Sequence, residues 1–287
     1  MNLMMLLEMA SSAFGERVAF GSKDGSGITY QELYERAGKA SQYFKETNAE
    51  HVSFLAESNL GLPISLFGSS WAGLPFVPLN YRLAADEVQA LADRISPTVT
   101  VTNNDLSSIV QGKEGVSLVT GDQLIDITTA GATPDPSWNM DPEEIAILLF
   151  TSGTTGYPKG AKISHRAFIY RALYFVFEYN VDKKDTFPAW APMFHMASTD
   201  LSIGSLLIGG SVAIVEGFDP KLLMNLIKKY KLSWLVLMPG MLEEFINFID
   251  GKKIQVKGIK AMGAMADLIP KNQIKKITSL LNTTYLY

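Results

Sequence analysis

Apolar and polar positions along this chain alternate between two periods. Short runs such as Val52-Ser53-Phe54-Leu55, Phe76-Val77-Pro78-Leu79 and Thr98-Val99-Thr100-Val101 read as strands. Between them, residues 60–72 and Ala84–Asp93 carry helical spacing, which makes one α/β unit. A second series has strands at Ile145–Thr151, Ser211–Val215, Trp234–Leu237 and Gly258–Met262, with helices near residues 166–178, 219–230, 240–249 and 270–280. Strands that alternate with helices predict parallel sheets under helical cover. The expected fold class is therefore α/β, with two βα-type subdomains and mostly parallel sheets. Prolines, Gly131 and polar residues between Thr128 and Glu144 mark the best boundary. The expected organisation is a first subdomain over 1–130, a linker over 131–144 and a second subdomain over 145–287.

Two apolar stretches raise the question of a membrane. The N-terminal Met1–Glu8 segment lacks the basic flank and small-residue cleavage site of a signal peptide and is too short to span a bilayer, so an amphipathic helix is expected. Leu201–Val215 is interrupted by Gly209-Gly210 and reads as helix, turn and buried strand. With 287 residues and 47% hydrophobic content the chain can bury sizeable cores. A net charge of -4, with the signs mixed, gives no nucleic-acid footprint. The absence of cysteine excludes disulfides and thiolate chemistry and is compatible with the cytoplasmic location expected here.

The run Thr151-Ser152-Gly153-Thr154-Thr155-Gly156-Tyr157-Pro158-Lys159-Gly160 carries the strongest chemical signal. It follows the apolar strand Ile145–Phe150, whose continuous hydrophobicity predicts burial on both faces of a parallel sheet. The loop should then emerge at the strand's carboxyl end, where open α/β sheets bind ligands. Gly153, Gly156 and Gly160 permit close backbone approach, Thr151, Ser152, Thr154 and Thr155 offer hydroxyl donors, and Lys159 supplies a point charge. The set suits a polyphosphate. It is not a Walker A loop, because Lys159 follows Pro158 and precedes Gly160 rather than Ser or Thr. The plain alternative is a glycine-rich hairpin with Ala161–Ser164 as its returning strand.

With its neighbours, this string resembles the adenylate-forming superfamily of acyl- and aryl-CoA synthetases, luciferases and peptide-synthetase adenylation domains. Ile28-Thr29-Tyr30-Gln31-Glu32-Leu33 is similar to the T-Y-x-E-L segment of that family, and Trp71–Asn80 to its A-G-x-x-x-V-P-L-N segment. Ile163-Ser164-His165, Pro192-Met193-Phe194-His195 and Gly263-Ala264-Met265-Ala266 follow in the family's order. The resemblance runs from about Ile28 to the last residue and is greatest with acyl-CoA synthetases. It implies the N-terminal part of the adenylate-forming fold and an AMP-forming acid–thiol ligase that uses ATP, Mg2+ and coenzyme A. The implied chemistry joins a carboxylic acid to AMP and then passes the acyl group to a thiol. A fatty or other hydrophobic acid is expected, because His195 stands where amino-acid-activating domains usually carry an aspartate.

The resemblance also assigns residues. Thr151, Ser152, Gly153, Thr154, Thr155, Gly156, Lys159 and Gly160 would hold the ATP phosphates, His195 and Phe194 would shape the carboxylate pocket, and Gly263, Ala264, Met265 and Ala266 would approach adenine or the acyl group. The family's next motif is Y-G-x-T-E, and this sequence stops at Tyr285-Leu286-Tyr287. Its metal-binding glutamate, ribose-binding aspartate and small C-terminal domain with the catalytic lysine have no counterpart here. No complete catalytic set and no metal ligand are therefore assigned, and the expectation is a fragment that is inactive alone and able to self-associate through its C-terminal region. Two other readings stay open: an adenylation domain that loads a carrier protein, and a noncatalytic nucleotide-binding or interaction module.

Single residues carry less. His165 opens a helix and is expected to cap or pack, and His51 is assigned nothing. Met265 either narrows the acyl pocket or fills core space. Phe168, Tyr170, Tyr174, Phe175 and Phe177 are read as a helix-packing stripe.

Overall fold

The computed structural model describes every residue except 22–25, 137–138, 152–157, 216, 264–267, 284 and 287. From the N terminus, helix α1 (Leu3–Phe14) leads to strands β1 (Val18–Gly21) and β2 (Gly27–Thr29), then α2 (Tyr30–Glu46). The βα series follows: β3 (His51–Leu55), α3 (Gly61–Ala72), β4 (Phe76–Pro78), α4 (Ala85–Arg94), β5 (Thr98–Thr102), α5 (Asn104–Val110), β6 (Val116–Thr120) and α6 (Gly121–Ile127). A hairpin of β7 (Ile145–Thr151) and β8 (Lys159–Ser164) precedes α7 (His165–Glu178), β9 (Thr186–Ala189), α8 (Met196–Leu207) and β10 (Ser211–Ile214). The chain continues through α9 (Pro220–Lys229), β11 (Leu232–Val236), α10 (Pro239–Ile249), β12 (Ile259–Gly263), α11 (Lys271–Leu281) and β13 (Tyr285–Leu286).

These strands form a six-stranded sheet in the order β6-β5-β3-β4-β7-β8 and a seven-stranded sheet in the order β13-β12-β11-β9-β10-β1-β2. Each is parallel except for one antiparallel edge strand, β8 against β7 and β2 against β1. The α/β class with mostly parallel sheets is therefore observed. Sheet membership does not change at residues 131–144, however. The hairpin at 145–164 extends the first sheet, where Ile147 pairs with Phe76. Conversely β1 joins the second sheet, with Phe20 opposite Val212. The burial expected on both faces of Ile145–Phe150 is also incomplete, since Leu148 and Phe150 are only partly buried. Antiparallel β8 contains Ala161–Ser164, the returning strand of the hairpin alternative.

Three cores separate five layers. The largest joins residues of both sheets, including Phe54, Val99, Phe187 and Val212, through α1, α2, α3, α7 and α8. A second lies between the seven-stranded sheet and α9–α11, and a third between the six-stranded sheet and α4–α5. The central helices α3 and α8 bury almost every side chain, serines included. Their hydroxyls donate to carbonyls one turn back, Ser65 to Gly61 O at 2.7 Å and Ser202 to Ser198 O at 2.6 Å, and in α8 the buried Asp200 accepts from Arg171 Nε at 2.9 Å through Oδ2. Gly68 lets α3 approach α2, because a Cβ there would stand 2.8 Å from Ala40 Cβ.

The family-like segments have local physical causes. In Ile28–Leu33, Thr29 Oγ1 accepts from the Glu32 N–H at 3.2 Å and Glu32 Oε2 accepts from the Thr29 N–H at 2.8 Å, a capping box that starts α2. Within Trp71–Asn80, Gly73 ends α3 at φ +76, a left-handed turn that favours glycine. The aromatic stripe on α7 is not one packing face. Phe168 and Phe175 are buried, whereas Tyr170, Tyr174 and Phe177 are 67%, 59% and 78% exposed. The five positions cover more of the helix circumference than one buried stripe occupies.

Candidate functional site

Thr151 ends β7 and Lys159 opens β8, and the two are register partners across the hairpin. Thr151 Oγ1 donates to Lys159 O at 3.3 Å, which closes the base of the loop. Both residues are exposed at the sheet's edge. Gly160 pairs with Phe150, and a Cβ there would stand 3.0 Å from Leu148 Cδ1. Ser152, Gly153, Thr154, Thr155 and Gly156 lie outside the described residues, so the structure speaks only for the rim of the phosphate loop.

That rim opens on a cavity of about 470 Å3 whose lining includes Thr151, Pro158, Phe194, His195, Asn80 and Glu87. Three segments singled out in the sequence, around residues 80, 151 and 195, thus meet in one concavity. A larger cavity of about 530 Å3, formed against β10 by β1, β2 and α9, holds Thr29 of the family-like segments but none of the residues assigned to phosphate, acid or adenine. Size alone does not identify a site, and the smaller cavity holds the convergent chemistry.

His195 sits immediately before α8 and its side chain makes no cap hydrogen bond. Its ring packs on Phe194 with centroids 4.6 Å apart, and Phe194 meets Tyr81 edge-on at 5.4 Å and 82°. Arg82 stacks over Tyr81, and the Arg82 N–H donates to Asn80 Oδ1 at 3.0 Å. His195 remains solvent-accessible, and partial burial followed by the positive charge of Arg82 lowers its pKa. A neutral imidazole presents one donor and one acceptor to a carboxylate at the cavity mouth. The turn is held from behind, where the Met193 N–H donates to Ser58 Oγ at 3.2 Å and Thr199 Oγ1 donates to Met193 O at 2.7 Å.

Gly263 ends β12, on the other sheet, and does not line this cavity. A Cβ there would fall 2.4 Å from Trp234 Cζ2, so the indole covers the glycine. Ala264, Met265 and Ala266 lie outside the described residues. His165 is buried, and its Nδ1 accepts from the Leu3 N–H at 3.4 Å, which ties the β8–α7 corner to α1. Burial, with the terminal amino charge adding, lowers its pKa to about 4, in keeping with a packing role.

Sequence reading missed Arg94. As the last residue of α4 it stacks its guanidinium 4.9 Å over the Phe150 ring and donates from Nη1 to Pro158 O at 2.6 Å. A basic residue in the last turn of a helix is an ordinary sequence feature, and nothing local shows that it reaches the loop. Among the described residues no three His, Asp or Glu side chains gather as a metal site requires, and no helix is long and apolar enough to cross a membrane.

A family model described as AMP-binding enzyme matches residues 7–286. Tyrocidine synthase 3 of Brevibacillus parabrevis is 26% identical over 238 residues, which cover 80% of this chain and 4% of that protein. Feruloyl-CoA synthase of an Amycolatopsis species is 26% identical over 222 residues, 76% of this chain and 45% of that protein. This chain thus spans less than half the length of either. Among solved structures, the inhibitor-bound N-terminal domain of FACL13 from Mycobacterium tuberculosis has a TM-score of 0.89 at 19% identity, covering 99% of this chain and 74% of that one. At that identity the likeness concerns the fold.

Proposed function

The chain belongs to the AMP-binding enzyme family, and from that premise we propose that it is the nucleotide- and acid-binding part of an ATP-dependent acyl-CoA synthetase. A carboxylate oxygen attacks the α-phosphorus of ATP, the bond from that phosphorus to its bridging oxygen breaks, and pyrophosphate leaves with the electron pair. A thiol sulfur, that of coenzyme A, then attacks the acyl carbonyl, loses its proton, and AMP departs. The acid is its own nucleophile, so the protein supplies alignment and charge stabilisation.

Residues 151–160 receive the β- and γ-phosphates, with Lys159 adding charge and the hydroxyls of Thr151, Ser152, Thr154 and Thr155 donating. Neutral His195 donates a hydrogen bond to the acid's carboxylate, and Phe194 walls the pocket. Gly263, Ala264, Met265 and Ala266 run beside adenine. The acid carries a mainly hydrophobic body. The Mg2+ implied by the resemblance finds no cluster of protein ligands among the described residues, and no step here is routed through it.

The observation that carries this reading is the meeting of Thr151, Pro158 and His195 in one cavity. It is tested by calorimetric titration of the chain with Mg-ATP, using Lys159→Ala with Thr154→Ala as the comparison. Saturable binding weakened at least about tenfold in the double variant is the expected result. Equal binding by both proteins would overturn it. Similarity to tyrocidine synthase 3 favours a second reading, in which a carrier-protein thiol accepts the acyl group. Acyl-transfer assays that offer coenzyme A and a carrier protein side by side separate the two.

A further inference from the structure

The larger cavity, of about 530 Å3, lies on the outer face of the seven-stranded sheet. Its position follows from how the helices cover that sheet. The core under α9–α11 takes side chains from β11 and β12 but none from β10, β1 or β2. Phe20, Ile28, Val212 and Ile214 of those three strands belong instead to the core between the sheets. Their other face is the floor of the cavity, and α9 is its wall. Helix α9 carries two apolar stripes: Leu223 and Ile227 are buried in the core beneath it, whereas Leu222 and Leu226 are half-buried and line the cavity. Val18, 46% exposed, lines it from β1.

The two ends of this groove differ in chemistry. Only a short connection joins β10 to α9, so Val215 and Leu222 stand together at one end, with Ala213 and Leu226 beside them. At the other end Ser211 is the register partner of Thr186, which also pairs with Leu232, just after Tyr230. Thr186, Ser211 and Lys229 therefore gather there, with Thr29 reaching it from β2 opposite Val18. Lys229 Nζ is held 4.8 Å over the Tyr230 ring. Arg17 Nη2 donates to the Lys183 carbonyl, which brings Arg17, Lys183 and Lys184 to the same end. Asp182 and Asp185 are engaged by Lys231 and Lys260, and among the described residues no carboxylate pairs with Lys229. From Ser211 to Val215 the groove runs about 13 Å along β10.

We propose that this groove is a second ligand site, separate from the motif cavity, and that it binds the anion of a free medium-chain fatty acid. The carboxylate lies at Lys229 and Arg17, and the chain runs past Ala213 and Leu226 toward Val215 and Leu222. The inference goes beyond the acyl-activating reading and does not depend on it. An unpaired cation at one end of an apolar groove matches an anion with a hydrocarbon tail, and the volume is that of a small-molecule site. The apolar walls supply affinity in proportion to the chain they bury, while the cation sets the direction in which the chain lies.

The test uses the whole chain and decanoic acid that carries a diazirine at its far end, kept below its micellar concentration. After irradiation, peptide mass spectrometry is expected to place the label on Val215, Leu222 or Leu226. Calorimetric titration with plain decanoate should show a saturable event that is at least about fivefold weaker with decanol and in Lys229→Glu. Lys229 is exposed, so that variant keeps its fold, and Ala213→Phe, which fills the floor of the groove, should abolish the label. Label confined to the motif cavity, equal binding of decanol and decanoate, or no saturable binding would each overturn the inference and leave the Mg-ATP test of the acyl-activating reading untouched. A decanoate-independent dimer that Lys229→Glu dissolves would overturn it too, by giving the groove to a second copy of the chain.

Discussion

Arg94 and Pro158 are joined across the mouth of the candidate site: the guanidinium at the end of α4 donates to the Pro158 carbonyl at 2.6 Å while it stacks on Phe150. One side chain thus holds both the strand that enters the phosphate loop and the residue that leaves it. The contact is exposed, so its contribution to global stability is small, and its effect should fall on loop geometry. Arg94→Ala is predicted to weaken Mg-ATP binding about three- to tenfold with a melting temperature almost unchanged. Arg94→Lys keeps the charge but not the planar stack, and should restore only part of the affinity. Calorimetric titration of the three proteins checks both statements.

Much of this architecture is legible in the sequence because its causes are local. Helices α3, α4, α7, α9, α10 and α11 follow from apolar spacing that needs no knowledge of the partner surface. Helix α2 is equally legible, since Thr29 and Glu32 spell a capping box. Sheet membership is different. Nothing in Val18–Gly21 says that it pairs with β10 nearly two hundred residues later, whereas the glycine-rich run after Ile145–Thr151 does allow the hairpin that is observed. The first is set by which strands meet in space. Arg94 and Asp200 stayed hidden for the same reason, because their partners lie on other elements.

Burial of His165 should make the protein acid-sensitive. Its pKa falls to about 4 in the folded state, first through burial and then through the terminal amino charge, against 6.5 for an ordinary histidine. Between these values the unfolded chain takes up a proton that the folded chain refuses. Stability is therefore complete above about pH 6.5, declines as pH falls, and the penalty stops growing below about 4. Protonation of Nδ1 would also cancel its bond from the Leu3 N–H. At about 1.4 kcal/mol per pH unit the loss approaches about 3 kcal/mol. Urea titrations at pH 7 and pH 4 should show a stability difference smaller by about that amount in His165→Gln than in the unaltered chain.

At the opposite end of the second sheet, Asp182 and Asp185 face Lys231 and Lys260. Lys260 Nζ lies 2.8 Å from Asp185 and 3.0 Å from Asp182, and Lys231 lies 3.1 Å from Asp185 and 3.3 Å from Asp182. Asp185 is buried and its Oδ2 also accepts from the Asp182 N–H at 2.8 Å. The cluster ties β9 to β11 and β12. Asp185 alone of the four is fully buried, and its removal leaves both lysines with the half-exposed Asp182 and the Asp182 N–H without its acceptor, so Asp185→Ala is predicted to cost about 1 to 3 kcal/mol. Asp93→Ala, which breaks the surface pair with Lys113, should cost less than about 1 kcal/mol. Chemical denaturation of the two variants provides the comparison.

Gly263 and Trp234 give the sharpest packing test. They occupy neighbouring strands two register positions apart, Trp234 opposite Ala261 and Gly263 opposite Val236, and a Cβ on Gly263 would lie 2.4 Å from Cζ2 and 2.8 Å from Cη2 of the indole. Those atoms belong to a rigid ring, which also stacks on Tyr179 with centroids 4.4 Å apart and so has little freedom to retreat. Gly263→Ala is therefore predicted to destabilise the protein by about 1 to 3 kcal/mol, the usual cost of overpacking. Trp234→Phe removes the clashing part of the ring and should cost stability on its own by leaving a void. If the clash is the cause, the double variant Gly263→Ala with Trp234→Phe is more stable than the sum of the single effects requires, by about 1 kcal/mol or more. Strict additivity would mean that the glycine is needed for its backbone rather than for the space it leaves to the indole.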